Sequence, residues 1–149
     1  IVKLTINTFK KAFNNYIADI DIIFAALILY SNKKKIALNK KILKDLGVDE
    51  NDLMAYFEKK YLIKGNGILD NKFICKINIK AKEIIKNVIE SNKELKESLF
   101  SGRHWFENPY CINFIFVKGQ LTSDIYTEYY LSNGSGRSRG IYTIILKPE

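Results

Sequence analysis

Nine apolar residues in succession, Ile22 to Tyr30, set the tightest limit on how this chain folds. Upstream of them, Phe9, Phe13, Tyr16, Ile17, Ile20, Phe24, Leu27 and Ile28 recur at spacings of three and four. That period predicts a helix over residues 8–30 with one apolar face. Its last turns are apolar nearly all round, so that end belongs at the centre of a core. The run is too short for a bilayer span, which takes roughly 20 residues, and Asp19 and Asp21 stand just before it. The segment Ile1 to Ile6 lacks the ordered basic, apolar and small-residue regions of a secretory signal. With no initiator Met, the sequence reads as a trimmed or internal piece of a cytoplasmic protein.

A length of 149 residues fits one domain, or a small domain with an extension. Charge narrows the partners. There are 24 Lys and Arg against 16 Asp and Glu, a net charge of +8, and nucleic acid is the commonest acidic partner of a basic protein. The positive charge gathers in residues 1–48 (+6) and 71–90 (+3), with an acidic block (−2) over residues 49–70 between them. A single His, His104, and two Cys, Cys75 and Cys111, are too few for a zinc site or a disulfide framework. Neither a metal nor a cofactor is expected. His104 and Glu107 would make an acid/base pair only if the fold joined them, and no nucleophile motif accompanies them. The expectation is a protein without enzymatic activity.

A second helix is predicted over about Asn39 to Leu46, with Asn39 as N-cap and Gly47 as its left-handed terminator. A third runs from Asp49 or Asn51 to about Lys60, with Leu53 and Phe57 inward. Ile68-Leu69 and Lys72 to Ile77 read as two strands turning at Asp70-Asn71. A fourth helix follows over Ile79 to Asn92, capped by Asn78, and Lys93 to Phe100 continues it or forms a separate short helix. From Trp105 the period changes. Tyr110 to Val117, Ile125 to Leu131 and Ile141 to Leu146 are rich in aromatic and β-branched residues, which predicts a three-stranded antiparallel meander.

This order of helices and hairpin resembles the winged helix-turn-helix superfamily over residues 20–92. Leu38-Asn39-Lys40-Lys41-Ile42-Leu43-Lys44-Asp45-Leu46-Gly47-Val48 looks like the helix-turn segment of prokaryotic winged-helix regulators. Phe57-Glu58-Lys59-Lys60-Tyr61-Leu62-Ile63 resembles the end of a recognition helix. Ile77-Asn78-Ile79-Lys80-Ala81-Lys82-Glu83-Ile84-Ile85 resembles the stretch after the wing, with Asn78 and Ala81 where Thr and Gly are usual. The implied fold is α+β: a winged helix-turn-helix domain over residues 1–95, followed by a small antiparallel β-sheet extension over 96–149.

The resemblance implies double-stranded DNA binding, with an AT-rich site as one candidate. The roles that fit are transcription regulation and plasmid or phage replication or maintenance. Candidate phosphate contacts are Lys33, Lys34, Lys35, Lys40, Lys41 and Lys44 around the second helix. Asn51, Tyr56 and Lys59 are candidates on the third helix, and Lys72 on the wing. Asp49, Glu50 and Asp52 crowd the start of the third helix; they suit its macrodipole and oppose phosphate approach. Arg137 and Arg139, in the loop Asn133 to Gly140, are a second candidate contact. Tyr126, Tyr129, Tyr130 and Tyr142 suggest a sheet interface, with a homodimer as the candidate assembly. The alternative is a winged-helix protein-interaction module using that tyrosine-rich sheet.

Overall fold

The computed structural model describes residues 2–32, 34, 36–100, 111–116 and 141–147. Among these, helices predominate: α1 (Ile6–Phe13), α2 (Ile20–Ser31), α3 (Ile36–Leu46), α4 (Glu50–Tyr61), α5 (Asn71–Ser91) and α6 (Lys93–Phe100). Strands β1 (Val2–Thr5), β2 (Cys111–Phe116) and β3 (Ile141–Lys147) make a small sheet in the order β1-β3-β2. The chain divides into two compact units, Phe13–Ile85 and Ile1–Ala12 with Lys86–Glu149. No helix among the described residues is long and apolar enough to cross a membrane.

The apolar run does what its composition requires. Seven successive residues of α2, Ile23 to Leu29, are buried, so this helix is surrounded on every side. Burying a Leu, Ile or Phe side chain contributes about 1.5–3 kcal/mol, which makes α2 the densest source of stability in its unit. The expected helix over residues 8–30 is in fact two, α1 and α2. Asn14 and Asn15 are poor helix formers, and the Phe13 carbonyl closes a turn by accepting the N–H groups of Tyr16 (3.0 Å) and Ile17 (2.9 Å).

The α+β reading, a winged helix-turn-helix domain with an antiparallel sheet extension, is overturned on two counts. The wing hairpin over residues 68–77 does not form. Asp70 is instead the cap of the 21-residue helix α5. One carboxylate oxygen accepts the N–H groups of Lys72 (3.0 Å) and Phe73 (3.3 Å), and the other accepts that of Asn66 (3.2 Å). Buried Phe73, Ile74, Ile77, Ala81, Ile85 and Ile89 form one helical stripe, while Ile79, off that stripe, is 64% exposed. Asn78 therefore caps nothing; it lies buried inside α5. The second count is strand direction. Val2 pairs with Ile144 and Cys111 with Ile141, both in parallel register, so no antiparallel meander joins the described strands. The strand expected over Ile125 to Leu131 lies outside the described residues.

Asn39 also moves from its expected role. Helix α3 begins at Ile36, which puts Asn39 inside the helix, fully buried, with neither side-chain polar atom hydrogen-bonded among the described residues. Asn92 separates α6 from α5, and its amide closes α5 by donating to the Val88 carbonyl (2.8 Å).

Two predictions follow from the caps. The hydrogen bonds from Asn66 and Phe73, then that from Lys72 and its charge, hold the Asp70 carboxyl below its ordinary value of 3.8. A lowered folded-state value stabilises the fold above that ordinary value, and the contribution is lost as pH falls through the depressed one. Asp70→Asn should therefore lower the thermal midpoint at pH 7 and flatten its fall below pH 4, both read by circular dichroism. Helix α4 ends on Leu62 in the left-handed conformation (φ 57°), 85% exposed, with the Ile63 N–H returning to the Phe57 carbonyl. Glycine fits that backbone without strain, so Leu62→Gly should stabilise the protein by about 0.5–1 kcal/mol in urea unfolding.

Candidate nucleic-acid interface

Helix α3 separates its side chains by face. Leu43 and Asn39 are buried, and Ile42 and Leu46 are half-buried. Ala37, Lys40, Lys41 and Lys44, at helical spacings of three and four, are exposed. Lys34 is exposed in the turn just before the helix. None of these four lysines makes an ion pair among the described residues. Their ammonium groups are thus available on one outward stripe, flanked by the exposed carboxylate of Asp45. Lys33 and Lys35 lie outside the described residues.

Gly47, Val48 and Asp49 connect α3 to α4. Gly47 takes a left-handed φ of 68°, as expected for the glycine that ends this helix, and the Val48 N–H reaches back to the Leu43 carbonyl (3.0 Å). Asp49 caps α4: its Oδ1 accepts the Asn51 N–H at 2.7 Å. Glu50 turns the other way. Its Oε1 accepts the Ile68 N–H at 3.1 Å and lies against Gly67, where a Cβ would collide with it. Gly67 itself has a φ of 118°, a region closed to most side chains. The segment before α5 is thereby clamped to the first turn of α4. The pairing of Glu50 with Ile68 spans 18 residues and carries no local sequence signal.

Acidic charge converges at this turn. Asp19 and Asp21 of the α2 start, with Gly47, Asp49 and Asp52, line a cleft of about 210 Å³. Asp52 and Asn51 are exposed. The carboxylates at 49, 50 and 52 were apparent in the sequence as a capped helix start. The addition of Asp19 and Asp21 from α2 was not, because only the tertiary packing unites them.

The other end of α4 is cationic and internally engaged. Lys60 pairs with Asp19 at 3.4 Å and lies 4.8 Å from the centre of the Tyr56 ring. Tyr56 and Tyr61 meet edge to face at 5.9 Å, and Lys80 of α5 lies 5.0 Å from the Tyr61 ring centre. Burial, then a hydrogen bond to Tyr61 and the charges of Tyr61 and Asp19, push the Tyr56 phenol well above its ordinary value, so it stays protonated. Tyr56 is thus a packing residue between these groups. Lys59 is exposed. Lys72 is exposed in the first turn of α5, where a wing was expected, and Lys76 follows one turn on.

The candidates therefore fall into separate groups. Lys34, Lys40, Lys41 and Lys44 share one element, Asn51 stands among carboxylates, and Lys72 begins another helix. Arg137, Arg139, His104, Glu107 and the tyrosines Tyr126, Tyr129 and Tyr130 lie outside the described residues; Tyr142 belongs to β3. Among the described residues no group of three or more His, Cys, Asp or Glu side chains is arranged to hold a metal ion, and Cys75 is a free, half-buried thiol.

Removing the Glu50 carboxylate leaves the Ile68 N–H without its acceptor. Glu50→Ala should cost about 1–3 kcal/mol in urea unfolding, and Glu50→Gln, which keeps a carbonyl acceptor, should recover most of it. Equal losses in both variants would show that the hydrogen bond is not what holds the segment.

Searches of family models, curated proteins and solved structures found no match to this chain.

Proposed function

We propose that the chain is a non-enzymatic, double-stranded DNA-binding protein that grips the phosphate backbone through α3. The observation that carries this reading is the stripe of Lys40, Lys41 and Lys44, extended by Lys34, exposed and without ion-pair partners among the described residues. Ammonium groups on one helix face neutralise a row of phosphates and release condensed counterions. The net charge of +8 favours such a partner. The short glycine-containing connection from α3 to α4 is the kind that DNA-binding helix pairs use, in which the first helix crosses the backbone. Lys59, Lys72 and Lys76 are exposed cations that add to the field. Control of transcription, or replication or maintenance of a plasmid or phage, are the roles that fit, in the cytoplasm of the host cell.

A second reading, a module that binds another protein, draws on the acidic cleft beside α4. The two readings separate by charge: DNA seeks the lysine stripe, and a basic protein seeks the carboxylates.

Fluorescence anisotropy of a labelled duplex over a salt series tests the proposal. Four lysine contacts correspond to a slope of log K against log salt of about −3.6. Lys40→Glu with Lys41→Glu, both exposed, should leave unfolding unchanged, weaken binding at least about tenfold at low salt and reduce the slope by about 2. An unchanged affinity in the folded double variant would remove α3 from the interface.

A further inference from the structure

We infer that the described helices hold the duplex by its phosphates, through α3, and that α4 does not read bases. This inference rests on the DNA-binding reading above and specifies the kind of site the protein accepts. A helix that reads the major groove puts the residues of its first turn against the base edges, between two rows of phosphates. In this chain that turn carries Asp49, Glu50 and Asp52; Asp49 and Asp52 share a cleft with Asp21 and with Asp19, whose charge Lys60 offsets at 3.4 Å.

Two of these carboxylates cannot swing away. Asp49 is engaged by the Asn51 N–H at 2.7 Å and Glu50 by the Ile68 N–H at 3.1 Å. Moving the first uncaps α4, and moving the second releases the clamped segment before α5. Their negative charge is therefore built into the tip of the helix, where an entering groove would present phosphates to it. Asn51 is left as the neutral polar side chain of that turn, too little for a code. The lysines on α3 have a single exposed carboxylate beside them, Asp45, and phosphate contacts carry no sequence information.

The test uses the full chain and three labelled duplexes of equal length: one of A·T pairs only, one of G·C pairs only, and one mixed. The expected dissociation constants agree within about threefold and share one salt slope, whereas base readout separates sequences by about tenfold or more. Such a preference overturns this inference and leaves the DNA-binding reading standing. Absence of binding to all three at low salt overturns both. Asp52→Asn gives an independent readout, because the side chain is exposed and its loss does not endanger the fold. The variant should change affinity for the three duplexes by one common factor. A selective loss for the G·C duplex, as expected of a carboxylate accepting from cytosine N4, contradicts the inference.

Discussion

The helical unit Phe13–Ile85 depends on one helix, α2, that has almost no polar face to offer water. With Ile23 to Leu29 buried in succession, α2 has to be covered on all sides, and α3 packs against it. Leu43 of α3, Leu53 and Phe57 of α4, and Phe73, Ile74, Ile77, Ala81 and Ile85 of α5 are the buried apolar side chains that these helices contribute to the unit. Each of these helices is left with an outer face whose chemistry is free to vary. On α3 that face is cationic. The proposed DNA-binding face is in this sense a by-product of the core: burying Leu43 fixes where Lys40, Lys41 and Lys44 must point.

Polar groups at the helix ends then fix the connections. Asp49, Glu50 and Asp70 each spend a carboxylate on backbone N–H groups, and together they hold the chain from the start of α4 to the start of α5. This accounts for the acidic block in the middle of a basic sequence. Its charge is largely structural, set at helix N-termini where the macrodipole favours it. The basic charge has no comparable employment on α3. Reading the two together as one averaged electrostatic surface would conceal that division of labour.

What the sequence revealed follows from the range of the interactions involved. Helix α4 and the left-handed Gly47 were legible because periodicity and helix terminators act within a few residues. The supposed hairpin was ambiguous for a local reason. Asp70-Asn71 suits a tight turn and a helix start equally, and Phe73-Cys75-Ile77 alternates while Phe73-Ile77-Ala81-Ile85 repeats every four. Burial of the longer stripe decides for the helix, and that is a tertiary fact. Strand direction was beyond local patterns in a different way. Cys111–Phe116 and Ile141–Lys147 are nearly continuous apolar runs, the composition of strands in parallel pairs, but pairing partners are chosen across the whole chain. The clamp of Glu50 on Ile68 and the gathering of Asp19 and Asp21 beside Asp52 are of the same non-local kind.

On the proposed reading α3, and not the start of α4, meets DNA. Amide chemical-shift mapping of the full, isotopically labelled protein during titration with a mixed-sequence duplex addresses it directly. The largest shifts should fall on Lys34 and on Ile36 to Lys44, with Asp49 to Asp52 little changed. Largest shifts at Asp49 to Asp52 with α3 unmoved would contradict it.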